Sequence, residues 1–96
     1  MRRAARKDAN HGVIQKAYEE QYCSVVDTSK LGDDFPDLVV GLCGRTFLVE
    51  VKNRKGRNKV EPGQKKFHDE WRGEPPIVVH SVDEVVAHVQ RVRSEG

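Results

Sequence analysis

The chain has 96 residues, of which 36% are hydrophobic and 33% are charged, and its formal net charge is +2. This length suits a single small domain, residues 1–96, and the longest apolar run, residues 38–43, is far shorter than the ~20 residues that cross a bilayer. A basic N-terminal tail, residues 1–7, is followed by no apolar segment, so we expect no signal peptide and a cytoplasmic protein without membrane contact.

The first element is predicted to be an amphipathic helix over about residues 8–22. Its apolar side chains recur three and four positions apart, at Ile14, Ala17, Tyr18 and Tyr22. The next element is a short strand within residues 23–28, which includes Cys23. Together with Cys43 this residue allows at most one disulfide, and we expect both cysteines to be reduced and buried.

A β-hairpin is predicted next, because residues 37–42 and 46–53 are β-branched and apolar on either side of a turn at Cys43-Gly44-Arg45. A polar, basic loop follows over residues 53–60. Since residues alternate faces along a strand, Glu50 and Lys52 should point to one side of the sheet and Val51 to the other.

Pro62 predicts the first turn of a second helix, which Gly73 and two prolines end. Phe67 and Trp71, four positions apart, are interpreted as core residues that pin this helix to the sheet. Residues 77–80 predict a buried strand, and residues 81–84 have the S-x-x-E form of a capping box that opens a last helix. The predicted apolar stripe of that helix is Val82, Val85, Val86, Val89 and Val92.

The predicted element order is therefore α-β-β-β-α-β-α. A mixed sheet with helices on its faces is the natural way to bury so many apolar stripes in one α/β domain.

The hairpin also carries the residues best suited to chemistry. A hairpin of this length can bring Asp37, at the start of one strand, level with Glu50 and Lys52 at the end of the next. Two carboxylates with the Val51 backbone carbonyl make an oxygen-rich site suited to Mg²⁺ or Mn²⁺. Lys52 could then polarise a water for attack on a phosphodiester.

These motifs resemble the PD-(D/E)XK nuclease superfamily through Pro36-Asp37, Glu50-x-Lys52 and the element order. More narrowly, residues 8–10, 36–41, 48–52 and 62–64, with Phe67 and Trp71, are similar to small phage-type VRR-NUC (virus-type replication-repair nuclease) domains. The resemblance covers about residues 8–92. It implies a restriction-endonuclease-like αβββαβ(α) core with a mixed central sheet flanked by helices.

The resemblance further implies that Asp37 and Glu50 are metal ligands, that Lys52 assists the attacking water and that Gln64 reaches the site from the second helix. Family members often carry another acidic residue on the first helix, where this chain has Val13, which leaves open whether Asp8, Glu19 or Glu20 compensates. Asp33 and Asp34 either bind metal through water or form a solvated turn, and the turn is favoured. The histidines show no zinc-site spacing, and His68 is interpreted as an exposed or packing residue.

Charge is distributed unevenly along the chain, since residues 1–16 and 51–66 are strongly cationic and residues 17–50 are anionic. We expect the cationic blocks to contact the phosphates of DNA, although a solvated surface is the alternative. The predicted DNA-binding residues are Arg2, Arg3, Arg6, Arg54, Lys55, Arg57 and Lys59.

The sequence thus predicts a Mg²⁺-dependent endonuclease of DNA. Resemblance to stand-alone members implies branched substrates such as Holliday junctions, and symmetric cutting of two strands calls for a homodimer because the chain has one predicted site. The alternatives are a flap, nicking or non-specific DNase, a non-catalytic nucleic-acid-binding module that retains the fold, and a purely structural or protein-interaction domain.

Overall fold

The computed structural model describes residues 10–53 and 61–96. The elements, in chain order, are α1 (His11–Glu20), β1 (Ser24–Asp27), β2 (Leu38–Leu42), β3 (Arg45–Val51), α2 (Pro62–Glu70), β4 (Ile77–Val79) and α3 (Val82–Glu95). This order is the predicted one. The basic tail and all the predicted DNA-binding residues lie outside the described residues: Arg2, Arg3, Arg6, Arg54, Lys55, Arg57 and Lys59.

The four described strands form one sheet in the order β1-β2-β3-β4. The first three strands pair antiparallel, and β4 pairs parallel to β3 with Glu50 opposite Val78. A parallel neighbour requires a crossover connection, and α2 lies within it. The predicted α/β class, with a mixed sheet flanked by helices, is confirmed.

The hairpin between β2 and β3 turns on two residues, Cys43 and Gly44, with φ values of 56° and 74°. Positive φ at both central positions matches the twist of the flanking strands. Arg45, which the sequence assigned to the turn, instead pairs with Leu42 as the first residue of β3. The turn leaves Cys43 exposed, so the prediction that both cysteines are buried is wrong for Cys43; both thiols are free.

The hydrophobic core lies between one face of the sheet and the helices α1 and α3. Alternate residues of β2 and β3 enter it, while their neighbours face the other way. Its most buried members are Ile14, Tyr18, Leu38, Val40, Val49, Val51, Val79, Val85, Val89 and Val92.

The apolar stripe of α3 is centred differently from the prediction. Val82 is exposed and Val86 only half-buried, whereas His88 is buried among the valines. The buried face of α3 can include His88 because the Tyr18 hydroxyl lies 2.8 Å from His88 Nδ1 and gives the buried imidazole a polar partner. Among the described helices, none combines the length and apolar character needed to cross a membrane.

Replacing Tyr18 with phenylalanine is expected to lower the free energy of unfolding by about 1–3 kcal/mol, because it leaves the buried His88 Nδ1 without a hydrogen-bond partner. Urea unfolding at pH 7 measures the change. Burial lowers the pKa of His88, so the ring is neutral at that pH. Tyr22→Phe is the matched control: that hydroxyl belongs to a 92% exposed side chain, and its loss should leave stability unchanged. Equal stabilities of the two variants would contradict the assignment.

Two further predictions need correction. The first helix ends at Glu20, and Tyr22 lies beyond it, exposed and with a φ of 66°. No residue of α2 is buried, Phe67 is half-buried, and Trp71 lies just past the helix end with 42% of its surface exposed. Neither aromatic residue is a core residue.

Candidate active site

Strand β3 carries the site on the face opposite the core. Val51 is buried in the core, while Glu50 and Lys52 lie on the other face, as the alternation predicts. Glu50 is 1% exposed, which is unusual for a carboxylate. The Lys52 ammonium lies 3.9 Å from Glu50 Oε2.

Asp37 joins this site from the residue before β2. Because Leu38 pairs with Val49, the hairpin register sets Asp37 opposite Glu50 on the same face. Asp37 Oδ2 accepts a hydrogen bond of 2.9 Å from the Val51 amide. If β2 were longer, a backbone carbonyl of that strand would accept this bond instead. The carboxylate is therefore fixed against the end of β3.

The Val51 carbonyl faces the same side as Asp37. The Lys52 amide donates to the Val79 carbonyl of β4, so the carbonyl of the same trans peptide points the other way, toward β2. The Val51 amide also points that way, since it donates to Asp37. Asp37, Glu50 and this carbonyl thus converge, as the predicted ligand set requires.

Gln64 links the two charged groups of β3. Its side-chain amide donates to Glu50 Oε2 at 2.9 Å, and its carbonyl oxygen accepts from Lys52 Nζ at 3.0 Å. The same oxygen accepts from the Glu61 amide at 3.0 Å, which ties it to the first turn of α2. Only one orientation of the Gln64 amide, with its oxygen toward Lys52 and the Glu61 amide and its nitrogen toward Glu50, makes all of these hydrogen bonds.

His68, one helical turn after Gln64, also faces the site. Its Nε2 lies 3.8 Å from Glu50 Oε1, and both atoms are buried without a hydrogen-bond partner among the described residues. Burial lowers the pKa of His68. Of the two interpretations given for His68, as an exposed or a packing residue, the exposed one is wrong, because only 13% of its side chain is exposed. The signal for its position was the four-residue spacing from Gln64.

The surroundings of Glu50 disfavour the ionised form of its carboxyl group. Burial first and the neighbouring Asp37 carboxylate second raise its pKa to about 8, against the smaller opposing effect of the Lys52 charge. A buried carboxylate beside another lacks enough positive charge nearby to stay ionised at neutral pH.

A divalent cation fits these residues. Glu50 Oε1, which has no hydrogen-bond partner in the described part of the chain, and the excess of negative charge are what a cation would satisfy. Among residues 10–53 and 61–96, no three His, Cys, Asp or Glu side chains form a metal-holding group, so the protein ligands would be two carboxylates and the Val51 carbonyl. Mg²⁺ commonly binds through one or two carboxylates and retains several waters.

Asp33 and Asp34 occupy an exposed turn with φ values of 54° and 63°. The Asp34 carboxylate packs against Gly63 in the first turn of α2, where a Cβ would lie 2.7 Å from Asp34 Cγ. The charge of Asp34 also raises the pKa of Glu50. The favoured interpretation as a turn agrees with this geometry.

The sequence interpretation gave no role to two residues that position the site. Thr28 donates twice toward it, from its amide to the Asp37 carbonyl at 2.8 Å and from its hydroxyl to the Pro36 carbonyl at 2.7 Å. Asn10 donates from its side-chain amide to the carbonyls of Lys52 and His80, at 3.2 and 2.6 Å. Neither partnership has a local sequence signal, because each joins residues from different elements.

The candidates for the acidic residue expected on the first helix, and Val13 in its place, are located as follows. Val13 is exposed on α1, and Glu19, on the same helix, lies 3.5 Å from the Gln15 amide. Glu20 is exposed, and Asp8 lies outside the described residues.

Comparison with solved structures finds a protein described as a VRR_NUC domain. The two superpose with a TM-score of 0.67 and are 29% identical, covering 84% of this chain and 95% of the other. No protein-family model matches the sequence, and no curated protein sequence matches it. The structural likeness spans nearly the whole of the solved domain.

Proposed function

We propose that this chain, which belongs to the VRR-NUC family and is thus a nuclease domain, is a metal-dependent endonuclease that hydrolyses the phosphodiester bonds of DNA. Its fold is consistent with the wider PD-(D/E)XK superfamily. The observation that carries the proposal is the convergence of Asp37, Glu50 and Lys52 at one end of β3.

Asp37, Glu50 and the Val51 carbonyl would hold Mg²⁺ or Mn²⁺. A cation bound there stabilises the negative charge that builds up on the phosphate during hydrolysis. The protein's part is to fix both carboxylates before the substrate arrives: Asp37 through the Val51 amide and Glu50 through Gln64. Such fixed ligands need no reorganisation in the transition state.

Lys52 would orient the attacking water and balance the charge of the pentavalent phosphate. Its ammonium has three donors, of which one goes to Gln64 Oε1. Since no second hydrogen bond of this ammonium is seen among the described residues, its other donors would serve a water and a phosphate oxygen. Because Lys52 is half-buried beside Glu50, its charge acts in a medium less polar than bulk water.

The substrate is proposed to be branched DNA, with a Holliday junction as the most specific case and a flap or nick as alternatives. A pair of symmetric cuts in a junction would require two copies of the site, hence a homodimer. Sedimentation of the protein alone and with a junction measures whether two chains assemble.

Cleavage of an end-labelled four-way junction in Mg²⁺ or Mn²⁺ tests the activity, with a flap and a linear duplex of the same sequence alongside. We expect the wild-type protein to cut the junction and Glu50→Ala and Lys52→Ala to be inactive. Binding without cutting in either metal would mean a non-catalytic nucleic-acid-binding module. Equal cutting of all three substrates would mean a non-specific DNase, and no salt-dependent binding would mean a structural domain.

Gln64→Ala is expected to lower the cleavage rate by about 10- to 100-fold, since supporting hydrogen bonds to ligands and catalytic groups contribute on that scale. The reason is that Glu50 and Lys52 lose their shared partner. Single-turnover cleavage of the preferred substrate measures the rate. Lys66→Ala, an exposed change on the same helix, is the control. It could weaken DNA binding, but such an effect disappears at saturating protein, so its cleavage rate should equal that of the wild type. A Gln64→Ala rate equal to wild type would contradict the linking role.

A further inference from the structure

Phe35, Phe67 and Trp71 form an aromatic column beside α2, the helix that brings Gln64 and His68 to the candidate site. The Trp71 indole stacks on Phe67, with ring centroids 5.3 Å apart and planes 15° apart. Phe67 meets the Phe35 ring edge-on at 5.5 Å. Trp71 is the outer member of the column; Phe67 covers one face of its indole, and 42% of the residue's surface is exposed.

Gly73 makes this position of the indole possible. A Cβ at Gly73 would lie 2.7 Å from Trp71 Nε1, closer than side-chain atoms pack. The chain therefore leaves space beside a large apolar ring that it does not bury in the core. A large exposed ring held in one orientation is characteristic of a binding surface.

The column is continuous with the proposed active site. Gln64, His68 and Trp71 follow at intervals of four and three residues, which places them on one side of the helix. At 1.5 Å per residue, Trp71 lies about 10 Å beyond Gln64 along the helix axis. The indole therefore lies within a few nucleotides' reach of the candidate site.

The charges around the indole favour a polyanion. Residues 65–72 expose three cations (Lys65, Lys66 and Arg72) and two carboxylates (Asp69 and Glu70), which leaves a net charge of +1, and one of the carboxylates, Asp69, is 3.0 Å from Lys65. A flat apolar ring next to Arg72, on a segment of net positive charge, matches a nucleotide, which combines an aromatic base with a phosphate.

We propose that Trp71 stacks on an unpaired base of the DNA substrate close to the cleaved phosphate. This inference rests on the proposed function, since it takes the same DNA as its ligand. A base inside a duplex already stacks on both sides, and freeing it costs free energy, so the indole selects bases that a branch, flap or frayed end has released. Trp71 would thereby contribute preference for branched over intact DNA.

The chain contains one tryptophan, so its fluorescence reports directly on this contact. We expect indole emission to be quenched when the wild-type protein, in EDTA, is titrated with a flap or a single strand, and to stay unchanged with a linear duplex. Unchanged emission at saturating flap, or equal quenching by the duplex, would overturn the proposal.

Variants supply an independent measurement. Trp71→Ala should weaken flap binding by about 5- to 150-fold, with duplex affinity and the salt dependence of binding unchanged, and Trp71→Phe should retain part of the affinity. Gly73→Ala keeps the indole but displaces it, and should reduce the quenching. Val26→Ala, an exposed apolar change on β1, should have no effect. Thermal melts check folding, and the wild-type titration is decisive even if Trp71→Ala unfolds.

The two proposals fail in different ways. Quenching and binding without cleavage in Mg²⁺ or Mn²⁺ would refute the enzymatic activity and support the stacking. Cleavage of flaps without quenching, and with Trp71→Ala binding as tightly as wild type, would refute the stacking and leave the nuclease. Absence of any DNA binding would overturn both.

Discussion

Replacing Lys52 with methionine is expected to slow DNA cleavage by about 100-fold or more, the contribution typical of a positioned proton-transfer or charge-stabilising group. Methionine keeps an unbranched apolar stem of similar length, so packing around the side chain changes little. What it removes is the ammonium that lies 3.0 Å from Gln64 Oε1 and 3.9 Å from Glu50 Oε2. Single-turnover cleavage at saturating protein measures the effect without a contribution from affinity.

Lys65→Met is the matched control, because that lysine is exposed on α2 and pairs with Asp69. Its cleavage rate should equal that of the wild type. The affinity of Lys52→Met for DNA should change only modestly, since one phosphate contact alters the salt dependence by about one unit. A Lys52→Met rate within about threefold of wild type would mean that another group activates the water, and would remove Lys52 from the mechanism.

The pairing of Asp37 with Glu50 could be predicted because two short-range rules determine it. Side chains alternate along a strand, and a tight hairpin restricts the register. The turn on Cys43 and Gly44 is one residue shorter than expected, and this matters for the register. With Leu42 paired to Arg45, Asp37 lies opposite Glu50, whereas the expected three-residue turn would have set it opposite Val51, so the sequence predicted the pairing to within one residue. Gln64 came from resemblance alone; nothing in its spacing from Lys52 requires that the two meet.

The surroundings of the site were harder to predict. A three- to four-residue spacing shows that Phe67 and Trp71 share a side of α2 but not what covers that side. Here α2 has no buried residue, so its aromatic face lies partly in solvent. For the same reason His68 was assigned no role, although the spacing that places it beside Gln64 was visible.

The apolar stripe of α3 shows that the pattern of a single helix can also misplace its buried face. Val82 satisfies the apolar pattern and is exposed, whereas His88 breaks the pattern and is buried. The tyrosine that accommodates His88 is 70 residues away in sequence, on α1. Polar residues enter a core when a distant partner satisfies them, and a single helix cannot reveal that partner. The predicted phosphate contacts of the tail and loop stay predictions, since those cations lie outside the described residues.

The metal-free protein is expected to lose stability as pH rises, with Glu50 as the cause. Burial and Asp37 raise the pKa of Glu50 from 4.5 to about 8, so between these values the folded state holds a proton that the unfolded state has released. Stability therefore falls as pH increases from about 5 to 8 and levels off above it, when the buried carboxylate is ionised in both states. Urea unfolding in EDTA across this range measures the slope.

Glu50→Gln should remove both the slope and the activity. Glutamine has the same shape but no charge, so the variant should exceed the wild type in stability at pH 8 by about 1–3 kcal/mol while its cleavage rate falls by about 100-fold or more. Mg²⁺ should stabilise the wild type, by about 2.7 kcal/mol at 100 times its Kd, and should stabilise the variant much less. Glu70→Gln, exposed on α2, should behave as wild type throughout.

Equal stabilisation of wild type and Glu50→Gln by Mg²⁺ would show that the cation binds elsewhere. A gain in stability together with a loss of cleavage would identify Glu50 as a metal ligand whose burial lowers the stability of the metal-free protein.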